Sequence, residues 1–131
     1  ATMQMAAKIV LEPIFEADFR DCSYGFRPRR SATDALEQIR LVGGRGHRYV
    51  IDGDIQSFFD TIDHGLLLGL LQERISDRRT LKLLRQWLTA GVMEDGKVSR
   101  ADLGTPQGGV ISPLLANVYL NFLDRVWEER C

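Results

Sequence analysis

At 131 residues, 44% of them hydrophobic, the chain has the length and apolar content of one ordinary globular domain with a sizeable core. Its formal net charge of −1 and pI near 6.1 speak against nucleic-acid binding by bulk positive charge, so any such site has to be local. Cys22 and Cys131 lie far apart with no Cys or His at metal-ligand spacing. That pattern suggests neither a zinc site nor a disulfide framework and suits a reducing, cytoplasmic setting.

From Met3 to Phe19 the apolar residues Ala6, Ala7, Val10, Leu11, Ile14 and Phe15 recur at helical spacing, which predicts one helix that Pro13 bends or divides. Asp21 to Arg30 has no period and carries Gly25 and Pro28, so it reads as a loop. Ser31 followed by Asp34 resembles a capping box, and Ala32, Ala35, Leu36, Ile39 and Val42 then form an apolar face that stops at Gly43-Gly44. Tyr49 to Ile55 is rich in β-branched and aromatic residues after a glycine-rich turn and is the best strand candidate. In a strand, Asp52 and Asp54 share one face and repel unless a cation lies between them.

Asp63 is placed as the N-cap of a helix over 64–75, and Asp77 opens another that carries Leu81, Leu84, Trp87 and Leu88 inward and ends near Gly91. The run Leu66 to Leu71 is far short of the roughly 20 apolar residues that a membrane span needs, so no membrane partner is expected. Asp95-Gly96 within Val92 to Leu103 is a hairpin signal. After the loop Gly104-Thr105-Pro106-Gln107-Gly108-Gly109, Ser112-Pro113 starts a last helix whose apolar face is Leu115, Val118, Tyr119, Phe122 and Val126. The charged run Asp124 to Arg130 reads as a helix tail, as expected of an excerpt from a longer protein.

Several residues suit catalysis or binding, and each has a plainer alternative. An aspartate at the end of a strand with a backbone carbonyl beside it can hold magnesium next to substrate phosphates. Asp54 is so placed, although Asp52, Asp54, Asp60 and Asp63 also suit turns and caps. Gln107 sits in a loop whose glycines permit close approach of a ligand, or merely form a tight turn. Arg27, Arg29 and Arg30 either clamp a triphosphate through charge-assisted bonds or lie solvated on a loop. The basic groups at 45–48 and 74–85 are either local nucleic-acid contacts or solvated faces.

The segments Tyr24 to Pro28, Gly53 to His64 and Gly104 to Asn117 resemble, in order and spacing, three successive blocks of group II intron-encoded reverse transcriptases. The resemblance runs from about Gln4 to Arg130. It implies an α+β fold, the fingers and palm of a right-hand polymerase with an antiparallel sheet packed by helices, here a partial domain over 1–131. The implied activity is RNA-directed DNA polymerisation by two-metal nucleotidyl transfer, with a longer parent that also assists splicing. The implied partners are an intron RNA template, a DNA or RNA primer and deoxynucleoside triphosphates, and the implied cofactor is Mg2+.

By the same resemblance Asp54 is the catalytic, metal-binding aspartate and the carbonyl of Ile55 is a further metal ligand. Phe59 packs under the incoming sugar and excludes a 2′-hydroxyl, and Gln107 and Gly108 line the nucleotide pocket. Arg27, Arg29 and Arg30 serve template or triphosphate. Gln56 stands where many members carry lysine, which removes one positive charge near primer and template. The family's Tyr-X-Asp-Asp turn does not occur in these residues, and neither the thumb nor the maturase region is found. The chain by itself is therefore expected to be inactive, and a catalytically silent RNA-binding remnant is the alternative.

Overall fold

The computed structural model describes residues 2–56, 58–90 and 110–130, without the side chains of Thr2, Phe59, Asp60 and Ala90. The described elements are helices: α1 (Thr2–Glu16), α2 (Ala32–Gly44), α3 (Phe58–Thr61), α4 (His64–Gln72), α5 (Arg78–Ala90) and α6 (Ser112–Arg130).

The core forms around α4. Leu67, Leu68, Leu70 and Leu71 are all buried, because this helix is apolar on nearly every side and is therefore stable only when covered on several. α5 and α6 both pack on it, and α1 packs on α6. Leu84 and Leu88 of α5, Leu114, Leu115 and Val118 of α6, and Leu11 and Phe15 of α1 complete the cluster. The inward face predicted for α5 is observed, with Leu81 and Trp87 partly buried against the core. Pro13 does not divide α1, which is continuous to Glu16. The proline is exposed, so its missing N–H falls on the solvent side of the helix.

The caps follow the sequence. Ser31 Oγ accepts from Asp34 N at 3.2 Å while Ser31 N donates to Asp34 Oδ2 at 3.1 Å. Asp63 Oδ1 accepts from Leu66 N at 3.1 Å. Asp77 takes the Arg79 N–H at 3.0 Å and the Thr80 hydroxyl at 3.0 Å, and these bonds hold its carboxyl below the usual range. The apolar face of α2 behaves otherwise. No residue of this helix is buried, Leu36 and Ile39 are each 65% exposed, and α2 packs on none of the other described helices.

The expected antiparallel sheet is not observed. Among the described residues there is no strand, and the fold they form is helical. Tyr49, Val50 and Ile51 are 99%, 87% and 84% exposed in succession, so the segment has no inward and outward face. The reason is that β-propensity measures fit to a paired, half-buried surface, and no neighbouring strand among the described residues takes up this segment's backbone groups. The candidate hairpin at 92–103 lies outside the described residues.

Candidate active site

Two of the three sequence blocks are described in full or nearly so, and the third at its helical end. Tyr24 to Pro28 lies in the loop between α1 and α2, which Arg27 organises. Its Nε and one terminal nitrogen donate to Glu16 Oε1 at 2.9 and 2.7 Å, and the other terminal nitrogen donates to the carbonyls of Arg20 and Ser23, each at 2.8 Å. The guanidinium also lies 5.5 Å from the centroid of the Phe19 ring. With its side chain only 8% exposed, Arg27 works as a structural clamp, the kind of paired and nearly buried charge whose removal strands its partner.

Arg30 donates to the carbonyls of Asp21 and Ser23, both at 2.6 Å, and stacks 4.3 Å from the Tyr24 ring centroid. Arg29 is exposed. The loop thus uses two of the three arginines proposed for template or triphosphate to hold its own carbonyls. Its backbone is strained. Phe26 has φ 52° and Arg29 φ 67°, values that cost a non-glycine residue of order 1–3 kcal/mol unless the surroundings enforce them.

The second block begins in the extended segment after α2. Asp52, Asp54 and Gln56 are exposed, so the two aspartates are not displayed on a sheet face. Ile55 lines an apolar groove of about 260 Å³ together with Leu66, Tyr119, Leu120, Phe122, Leu123 and Val126. Phe58 meets Tyr119 edge to face, with ring centroids 5.6 Å apart. Phe59 lies in α3 by its backbone, its side chain outside the described set. Gln107 and Gly108 of the third block lie outside the described residues, whereas that block's helical end is the start of α6, with Ile111 and Ser112 buried.

The three blocks therefore meet on α6. Asn117, buried among Leu114, Leu115 and Val118, donates from Nδ2 to the Gly25 carbonyl at 2.8 Å across 92 residues of sequence. Tyr119, two positions on, carries the ring contact to Phe58. Neither Asn117 nor Tyr119 was assigned a site role from the sequence. The legible signal for Asn117 is an amide on the apolar stripe of a helix, where Asn121 follows it one turn later, since a buried polar group needs a partner.

A larger cleft of about 420 Å³ is lined by residues that include Asp18, Arg20, Glu73, Arg74, Asn121 and Arg125. It is crossed by the Arg74–Asp18 ion pair at 3.0 Å and the Arg125–Glu73 pair at 3.5 Å. None of its lining residues belongs to the first two blocks, so its size does not mark the chemistry.

No group of three or more His, Cys, Asp or Glu side chains that could hold a metal occurs among the described residues. A protein commonly offers magnesium one or two carboxylates, with substrate phosphates and water supplying the rest. The exposed Asp54 carboxylate beside the Ile55 carbonyl fits that share in donor chemistry. No helix among the described residues is long and apolar enough to cross a membrane.

The profile of the family described as reverse transcriptase (RNA-dependent DNA polymerase) matches residues 2–131. The chain is 45% identical to "Protein YkfC" of Escherichia coli over 98% of its own length and 35% of that protein. It is 46% identical to "Group II intron-encoded protein LtrA" of Lactococcus lactis over 94% of its length and 20% of that protein. Over 61% of its length it is 34% identical to "Nuclear intron maturase 1, mitochondrial" of Arabidopsis thaliana. The chain thus spans about a third or less of these relatives. With the family match running over nearly all of its residues, the chain belongs to the reverse transcriptase (RNA-dependent DNA polymerase) family, among group II intron-encoded proteins and intron maturases.

Proposed function

We infer that the chain supplies part of the nucleotidyl-transfer core of an RNA-directed DNA polymerase of the group II intron type, which copies an intron RNA template from a primer using deoxynucleoside triphosphates. The observation that carries this reading is the gathering of the motif segments on α6, through Asn117 to Gly25 and Tyr119 to Phe58. Residues far apart in sequence are held at fixed positions, as in-line displacement requires of the groups that orient it.

In this reading Asp54 holds Mg2+ together with the carbonyl of Ile55. When bound, such ions activate the attacking hydroxyl and steady the leaving pyrophosphate. Asp54 is exposed and has no hydrogen-bond partner among the described residues, which leaves its carboxylate open to a cation. Phe59 excludes a ribose 2′-hydroxyl, and Gln107 and Gly108 line the nucleotide pocket. Of the three arginines, Arg29 is the one whose guanidinium is open to a phosphate, since Arg27 and Arg30 are engaged by the loop. The remaining carboxylates of the site belong to the greater length of the relatives, and assistance to splicing belongs to the longer protein as well.

A hybrid in which this chain replaces the matching 123 residues of the Lactococcus protein tests the reading. It is expected to extend a primer on an RNA template with deoxynucleotides and Mg2+. Phe59→Ala in the same hybrid is expected to admit ribonucleotides. A folded hybrid that binds template and incorporates nothing would leave the chain an RNA-binding remnant.

A further inference from the structure

The loop over 24–30 makes two consecutive tight turns, and each places a non-glycine residue at positive φ. In Arg27-Pro28-Arg29-Arg30 the Arg30 N–H returns to the Arg27 carbonyl at 3.4 Å. Pro28 takes the second position and Arg29, at φ 67°, the third, where glycine or asparagine ordinarily sits. Phe26 at φ 52° is the more costly case, because a bulky side chain in the left-handed region is strained.

This conformation is held from several sides. Asn117 binds the Gly25 carbonyl at 2.8 Å, Arg27 is locked onto Glu16, Arg20 and Ser23, and Arg30 onto Asp21 and Ser23. The result is that the Phe26 ring is 78% exposed, with the exposed Arg29 nearby in the next turn. Glycine at either position would make the same turns without strain, and Phe26 gains little burial in return. What the position retains is an aromatic face presented to solvent on a fixed backbone.

We propose that Phe26 is a stacking platform for an unpaired nucleobase of RNA, with Arg29 contacting the adjoining phosphate. This rests on reading the chain as an RNA-copying protein and adds a base-binding site to it. An exposed ring with a neighbouring guanidinium on a rigid loop is how single-stranded nucleic acid is held without sequence preference. A protein partner fits less well. Aromatic anchors of protein interfaces sit among other contacts that exclude water, whereas the chain neighbours of Phe26 are Gly25, Arg27, Pro28 and Arg29, two of them cationic.

The test measures binding of a short, fluorescently labelled single-stranded RNA by the full chain, beside an abasic ribose-phosphate oligomer of equal length. Phe26→Ala and Phe26→Leu are expected to weaken RNA binding about 5- to 100-fold, and Phe26→Trp to restore it. Phe26→Gly, which relieves the strain, should melt no lower than the wild type yet bind as weakly as Phe26→Ala. The wild type should hold the abasic oligomer as weakly as Phe26→Ala holds RNA, and Arg29→Ala should lower the salt slope by about one.

Wild-type binding unchanged by Phe26→Ala and Phe26→Gly would overturn the platform alone. An equal loss on the abasic oligomer would overturn it too, by placing Phe26 on the backbone. A chain that binds no single-stranded RNA would overturn the platform, whereas the RNA-copying reading stands or falls on primer extension by the hybrid. Self-association that depends on Phe26 without RNA binding would make the ring a protein contact and overturn the proposal.

Discussion

The chain holds apolar-rich segments with opposite fates. α4 buries apolar residues against α5 and α6, down to Leu67, Leu71, Leu84 and Leu115 with no exposure at all. α2 and the segment that follows it to Gln56 present Leu36, Ile39, Tyr49, Val50 and Ile51 to solvent, although α2 carries an apolar face and the segment is rich in β-branched and aromatic residues. Periodicity states which face an element can bury; a partner decides whether it does. The loop over 17–30 lies between these cases, since it buries Phe19 in the core and is otherwise held by the Arg27 and Arg30 guanidiniums and by Asn117.

Substitutions can break or sharpen this comparison. Leu71→Ala or Leu84→Ala should lower stability by about 3–5 kcal/mol in denaturant titrations, whereas Leu36→Ala should change it by less than about 0.5 kcal/mol. A similar loss from Leu36 would mean that α2 has a partner after all. Arg27→Ala should lower stability by about 3 kcal/mol, because it leaves the Glu16 carboxylate half-buried and unpaired. Glu16→Gln should do less harm, and limited proteolysis should then cut first between α1 and α2.

Asn117→Leu should lower stability by about 1–2 kcal/mol through the stranded Gly25 carbonyl, with faster amide exchange in residues 24–30. Ser31→Ala should weaken α2 by about 1 kcal/mol. Because α2 stands apart from the core, that loss should appear as local fraying in hydrogen exchange while the global unfolding transition stays in place.

The smallest effect expected is on pH dependence. Burial, and then the charge of Glu128, raise the Asp124 carboxyl above its ordinary value. A carboxyl raised in the folded state favours folding below its unfolded pKa, and that contribution disappears as pH rises through the folded value. Asp124→Asn should therefore melt slightly above the wild type at neutral pH, with the difference vanishing in acid.

The caps and the core face of α5 were legible in the sequence because both are local or periodic signals, whereas in α6 Phe122, expected on the apolar face, is exposed and Leu114 is buried in the core. Ser31 with Asp34, Asp63 and Asp77 cap where their spacing placed them, and Leu81, Leu84, Trp87 and Leu88 turn inward. The sheet was misread, since Tyr49 to Ile55 has strand composition and no strand beside it among the described residues. Of the site, the family resemblance identified the segments, but not what each side chain does. Charge left Arg27 and Arg30 as either phosphate ligands or solvated loop residues, and only the three-dimensional placement of Glu16 and of the Asp21 and Ser23 carbonyls discloses the bonds they make. Asn117 and Phe26 lie within the matched segments but take no role of their own from the sequence, for a related reason: a helix-face amide and a loop phenylalanine acquire meaning once their partner, or its lack, is seen.

The contrast that matters most for function sets Asp54, exposed and proposed to act in chemistry, against Arg27, enclosed and acting in structure. Primer extension and melting temperature measured together on the Lactococcus hybrid carrying Asp54→Ala test it directly. The predicted result is loss of nucleotide incorporation at an unchanged melting temperature. Incorporation that survives Asp54→Ala, or that falls only in step with the melting temperature, would contradict the assignment of Asp54 to the reaction.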